Sequence, residues 1–230
     1  MDKEGAQKLV DSRNWWYHKF EIFPGVVTPG VYDPSHLLGS MKLPDNMSGI
    51  RVLEIGPCDG YFTKMLAERG AVVTAVDYAE RGTFGFHVME QLLGKKLDWR
   101  CANIYELERA DLEPFDCVIC LGVLYHLPDM IKALWILRRL TKGPLYLETL
   151  VCRKHEDQPF AEYLPGATEN NDYTNFWSPN VLCVEKMLQD AGFVLEEKMV
   201  AGTRALFRAT VDPRPDAGKK VRVAYSRFEP

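Results

Sequence analysis

The 230-residue sequence has no apolar run near the ~20 residues a membrane span requires, no internal repeat and no low-complexity tract. Integral-membrane, collagenous and disordered classes are thereby excluded, and the length fits one domain, or one domain with an appended segment. A surplus of one charge is also lacking. With 28 Lys+Arg against 32 Asp+Glu the net charge is −4, which gives no global field for phosphate polyanions, so a nucleic-acid partner would need a local basic patch. The start, Met1 to Gly5, is not an apolar leader, and a cytoplasmic location is expected. Six cysteines (Cys58, Cys101, Cys117, Cys120, Cys152, Cys183) show no repeated spacing, which fits buried free thiols in a reducing compartment. Cys117 and Cys120 form a CxxC, but in a strand-like run residues i and i+3 face opposite sides. No Asp/Glu/His group has ligand spacing, and no metal is expected.

What is present is alternation. Strand-like runs at Arg51–Ile55, Ala71–Val76, Asp98–Cys101, Phe115–Leu121 and Leu145–Val151 are separated by helical stretches, the pattern of an α/β protein with a mainly parallel sheet. Further strands are predicted near Phe193–Val200 and Arg204–Thr210. Helices are predicted over Tyr61–Arg69, stopped by Gly70, and over Asp129–Lys142, stopped by Gly143-Pro144. A third runs from about Pro179 to Ala191, with Ser178 as N-cap and Gly192 as stop. Two segments stand apart. Residues 1–50 hold a first helix and then many breakers, while 152–178 carries Phe160, Tyr163, Tyr173, Phe176 and Trp177 without periodicity. Long irregular segments in a compact domain are usually lids or binding loops. The expected division is an N-terminal cap (1–50), a main domain (51–210) with a lid insertion (152–178), and a polar, basic tail (211–230).

From Arg51 to Leu66 a strand enters a short turn with Gly56 and Gly60 and leaves as a helix. Glycine allows close approach of a ligand, and the free N–H groups of a helix start favour an anionic or polar group. Asp77, roughly 20 positions after Gly56, ends the next strand where an acid can accept both hydroxyls of a ribose. A dinucleotide oxidoreductase would need GxGxxG, yet the corresponding positions read Gly56, Cys58 and Tyr61.

The acid-x-Gly-x-x-x-Gly run (Glu54, Gly56, Gly60), Asp77 and the later run from Phe115 to Leu127 together resemble class I S-adenosylmethionine methyltransferases. The resemblance implies a Rossmann-like fold with a mainly parallel seven-stranded sheet and helices on both faces, and S-adenosyl-L-methionine as cofactor. It implies Glu54 and Gly56 beside the methionine part, Asp77 on the ribose, and Asn103 and Ile104 near the adenine. Cys58, Gly60, Gly122 and Tyr125 complete the cofactor set.

The runs Gly122–His126, Leu147–Val151 and Asn175–Pro179, with Trp15–Lys19 and Pro24–Gly30, look like the tRNA wobble-uridine carboxymethyltransferase family and its methyltransferase relatives. Members that use carboxy-S-adenosyl-L-methionine hold its extra carboxylate with a Lys, a Tyr and an Arg. Tyr125 and Arg204 match the last two, but Lys19 is out of register. That departure, with no basic excess, favours S-adenosylmethionine itself.

Methyl transfer from a sulfonium needs alignment and, for a protonated nucleophile, a base. His126, just past the fourth strand, is a candidate base or a brace for the loop before Pro128. His18 either faces the pocket or packs as a helix side chain on the surface. Glu148, near the end of the fifth strand, is a base or substrate acceptor, or else a salt-bridge partner of Arg204. Tyr125 contacts the sulfonium or packs in the core. Trp16, Tyr17, Tyr173, Phe176, Trp177 and Arg204 are the substrate candidates, while His36, His87 and His155 read as ordinary. The leading reading is methyl transfer to O or N of a small, partly apolar acceptor. The alternatives are RNA modification, with Lys219, Lys220, Arg222 and Arg227 touching phosphate, and a non-catalytic cofactor-binding partner subunit. Oligomeric state is not legible.

Overall fold

The structure, a computed structural model, describes residues 1–226; Arg227 of the basic tail lies outside them. The near-continuous apolar runs at Arg51–Ile55, Val72–Asp77, Cys117–Leu121 and Pro144–Leu150 form largely buried strands, as a parallel sheet covered by helices requires, whereas Asp98–Cys101 and Phe193–Ala201 are mostly exposed. The central sheet has seven strands and is mainly parallel, the Rossmann-like fold that the resemblance implied.

The chain divides into two compact units, 1–103 and 104–230. The first holds α1 (Lys3–Asp11), β1 (Glu21–Phe23), β2 (Val26–Val27), α2 (Ser35–Met41), β3 (Arg51–Ile55), α3 (Tyr61–Glu68), β4 (Val72–Asp77), α4 (Phe86–Leu93) and β5 (Asp98–Cys101). Here β3, β4 and β5 pair in parallel, with Glu54 opposite Ala75 and Asp77 opposite Cys101. The parallel register brings Ile55 and Asp77 to the same end of neighbouring strands, where ligands bind in open α/β sheets.

The second unit holds β6 (Cys117–Leu121), α5 (Met130–Arg139), β7 (Pro144–Leu150), β8 (Ala161–Tyr163), β9 (Trp177–Pro179), α6 (Val181–Ala191), β10 (Phe193–Ala201), β11 (Arg204–Val211) and α7 (Lys219–Ser226). Strands β6 and β7 are parallel, whereas β11 runs antiparallel to both β7 and β10. Both CxxC thiols lie buried in β6, where burial pushes each up to about 12.

Two expectations need correction. The helix after the insertion begins at Val181, because Asn180 caps it by accepting the Cys183 N–H at 2.8 Å; Ser178 lies in β9 instead. The same Asn180 donates to the carbonyls of His155 and Gln158 at 2.8 Å each, so the cap also ties down the insertion. That insertion is not wholly irregular, since β8 and β9 form an antiparallel pair within it. The described part of the tail carries a docked helix: Val221 is buried and the Tyr225 hydroxyl donates to the Asp129 carboxylate at 2.8 and 2.9 Å.

Candidate functional site

In the first unit, β3 ends in a turn through Gly56 (φ 73°), Cys58 (φ 51°) and Gly60 (φ 83°), all in the left-handed region. The Gly56 N–H donates to the Val76 carbonyl at 2.9 Å, which ties the turn to the next strand. Gly60 also answers to packing, since a Cβ there would lie 2.4 Å from Met89 Cε of α4. Asp77 sits buried at the end of β4. Its Oδ1 accepts the Ala79 N–H at 3.0 Å, its Oδ2 the Cys58 N–H at 3.4 Å, and burial raises its pKa. A carboxylate offers about four lone-pair sites, so acceptor capacity remains. Glu54 is buried and accepts the Thr63 hydroxyl at 2.5 Å; desolvation pushes its pKa up to about 7.

Asp59, between Cys58 and Gly60, is fully buried and was not singled out by the sequence reading. Its Oδ2 accepts the amides of Tyr17 (2.7 Å) and His18 (2.8 Å), and its Oδ1 that of Gly85 (2.8 Å). The only local signal is an acid inside a glycine turn; its partners lie far away in sequence. The aromatic N-terminal segment is thus clipped onto the turn. Within the segment the Thr28 hydroxyl donates to the His18 carbonyl at 2.6 Å, and Gly30 passes so close that a Cβ would lie 2.2 Å from that carbonyl.

His18 is not a surface helix side chain, because α1 ends at Asp11 and His18 is 6% exposed, bridged to Tyr32. Burial lowers its pKa to about 4, against the pull of Asp59, whose Oδ2 is 3.9 Å from Nδ1. Trp16 is a second correction. It is 2% exposed, packs its ring against Gly85 and donates to the Val10 carbonyl, so it faces the core and not a substrate. Tyr17 stays half-buried beside the rings of Trp15 and Tyr32. The fold also gathers potential metal ligands that sequence spacing had scattered: His18, Cys58 and an Asp59 oxygen lie within 4.8 Å of one another. The three amides on Asp59 and a Cys58 thiol held up by burial make that a poor donor set for a cation. Asn103 is exposed, just past β5.

In the second unit, Ile104 is buried in a 3-10 turn, away from solvent. Gly122 (φ 72°) leads β6 into another 3-10 turn, Leu124–His126. Glu148 is engaged by Arg204 through both oxygens, Nε at 2.5 Å and Nη2 at 2.6 Å, so the ion pair is formed and the carboxylate is poorly suited to act as a base. The same guanidinium lies over the Tyr125 ring at 4.8 Å, and that ring lies 4.0 Å from the imidazole of His126. Burial lowers the pKa of His126, and its Nδ1 is 2.9 Å from Thr174 Oγ1. The insertion is fastened to this turn, since the Phe176 N–H donates to the Tyr125 carbonyl (2.9 Å) and the Trp177 indole to the Pro128 carbonyl (3.1 Å). Tyr173 is 81% exposed and touches solvent more than any wall.

The methyltransferase-domain family pattern matches residues 35–198. A ubiquinone biosynthesis O-methyltransferase of Dechloromonas aromatica (strain RCB) is 34% identical over 149 residues, 60% of this chain and 62% of that protein. The chain therefore spans less than two thirds of that relative's length. The ubiquinone biosynthesis O-methyltransferase of Coxiella burnetii (strain Dugway 5J108-111) is 28% identical over 200 residues, 79% of each chain. The N-terminal domain of EvdMO1, crystallised in the presence of SAH and D-fucose, superposes with a TM-score of 0.67 at 19% identity, covering 93% of this chain and 98% of that one, a likeness of fold. With the family pattern running from α2 into β10 over a Rossmann-like sheet, the chain belongs to the methyltransferase-domain family.

Proposed function

We propose that this chain transfers a methyl group from S-adenosylmethionine to an oxygen or nitrogen of a small, partly apolar acceptor. The observation that carries the reading is Asp77, buried at the end of β4 beside a left-handed turn, with acceptor capacity left for a ribose. The donor set fits the cofactor: Asp77 takes the ribose hydroxyls, the 56–60 turn and Glu54 border the methionine part, and Asn103 and Ile104 flank the adenine. The O-methyltransferase names of the relatives favour an oxygen acceptor. The bound sulfonium supplies an activated methyl group. The protein's own work is to align the acceptor, exclude water and take its proton. His126 Nε2 receives that proton, with His18 as the second candidate. Tyr17, Phe176 and Trp177 form apolar acceptor contacts. In functional terms 1–50 is the cap, 51–210 the methyltransferase domain with its 152–178 lid, and 211–230 the tail.

The finer resemblance to tRNA wobble-uridine carboxymethyltransferases is the weaker reading. Arg204, which an extra cofactor carboxylate would need, is already paired with Glu148, and Lys220 of the tail pairs with Asp190. Calorimetry with S-adenosylhomocysteine tests the proposal. Loss of charged hydrogen bonds in Asp77→Ala costs on the order of 3 kcal/mol, about a 100-fold weaker Kd. Undiminished binding by that variant would overturn the cofactor assignment.

A further inference from the structure

Three polar groups in the second unit are linked in a line that the methyl-transfer reading does not itself require. Thr174 Oγ1 lies 2.6 Å from Asp172 Oδ1 and 2.9 Å from His126 Nδ1, and the Thr174 carbonyl lies 3.2 Å from the same Nδ1. The Asp172 carboxylate also accepts the Thr174 N–H at 2.8 Å, which fixes the turn that aims the hydroxyl.

A hydroxyl has one proton and two acceptor lone pairs. At 2.6 Å from a carboxylate that proton belongs on the Asp172 side. Burial alone would raise the Asp172 pKa, but the bonds from the Thr174 O–H and N–H hold it below its ordinary value, so the carboxylate stays ionised and can only accept. Toward His126 the Thr174 oxygen is then an acceptor, and the carbonyl beside it can be nothing else. Two acceptors facing Nδ1 require a proton on Nδ1. Without it, lone pairs would oppose one another across about 3 Å beside the half-buried His126 ring.

We propose that Asp172 and Thr174 are positioning residues that hold His126 as the Nδ1–H tautomer, leaving the Nε2 lone pair free to accept a proton. The inference deepens, and rests on, the reading of His126 as the base. The arrangement resembles in logic a carboxylate that orients a catalytic imidazole, here with a threonine hydroxyl inserted between them. The carboxylate acts one bond further away, and the threonine must supply both its hydroxyl and its carbonyl. A serine can do so and a valine cannot supply the hydroxyl. The imidazolium formed on proton transfer keeps both Nδ1 contacts, so no bond has to be broken during turnover.

The test separates the tautomer from its use. Protein labelled with nitrogen-15 histidine gives long-range proton–nitrogen correlations for its five histidines, and His126→Asn identifies the set that belongs to His126. The parent and Thr174→Ser should show a protonated Nδ1 and an unprotonated Nε2. Thr174→Val should shift His126 toward the Nε2–H form or a mixture, and Asp172→Asn should do so to a lesser degree. In activity assays Thr174→Val should lower kcat about 10-fold with the KM for S-adenosylmethionine unchanged, and Thr174→Ser should rescue it. An Nε2–H tautomer in the parent overturns the positioning role, and a tautomer unmoved in Thr174→Val overturns the part assigned to the Thr174 hydroxyl and Asp172. A shifted tautomer with kcat unchanged leaves the positioning intact and overturns His126 as the base.

Discussion

Asp59 in the first unit and Glu148 in the second are both almost completely buried carboxylates, and their partners differ in kind. Asp59 is satisfied by three backbone amides, those of Tyr17, His18 and Gly85. Glu148 is satisfied by one side chain, the forked guanidinium of Arg204. Amides belong to the path of the chain and persist whatever side chains the segment carries. An ion pair belongs to two residue identities and can be exchanged as a unit. The first cluster is therefore a clasp for a segment, while the second is a replaceable contact.

The strongest way to break this contrast is Asp59→Ala. Three buried N–H groups would lose their acceptor at ~1–3 kcal/mol each, so a loss on the order of 4 kcal/mol is expected in urea unfolding. Hydrogen exchange at Tyr17, His18 and Gly85 should rise with it. A loss under about 1 kcal/mol would show that Asp59 is not the clasp.

Arg204→Met comes next. Stranding a buried Glu148 typically costs about 3–5 kcal/mol for a fully buried pair, and the partly exposed Arg204 places the expectation near the lower end. The double variant Arg204→Met/Glu148→Leu should recover most of that loss, because an apolar pair can replace a buried ion pair at little cost. If the double variant is as unstable as the single, the pair is not a replaceable unit.

The smallest expected effect is a pH slope that the parent conceals. The Glu54 carboxyl is raised from 4.5 to about 7 by burial, so its contribution to stability is present below pH 4.5 and lost as pH rises toward 7. The His18 pKa is lowered from 6.5 to about 4, so buried neutral His18 costs stability as pH falls from 6.5 toward 4. The two slopes oppose each other over about pH 4.5–6.5. His18→Asn should leave a stability that falls with rising pH, and Glu54→Gln one that rises, each by roughly 2–3 kcal/mol across that window. Denaturant titrations at three pH values decide it; two flat profiles would show that neither group is buried as described.

The sequence by itself determined the alternating elements, the 56–60 turn with Asp77 beyond it, and the Glu148–Arg204 partnership as one of two readings. Each depends on local periodicity or on the chemistry of the residues named. It also carried the α6 stop at Gly192, whose φ of 94° a side chain would strain. It missed what depends on where distant backbone arrives. Asn180 supersedes Ser178 as the α6 cap because the insertion's carbonyls come within its reach. Trp16 turns inward because Gly85 leaves room for its ring, and the polar tail becomes α7 because Asp129 accepts from Tyr225. His18, Asp59 and Gly85, like Asp172, Thr174 and His126, become neighbours only in three dimensions. Hydrogen bonds to the main chain carry no mark in the identity of the donor residue, and so only the tertiary structure could decide them.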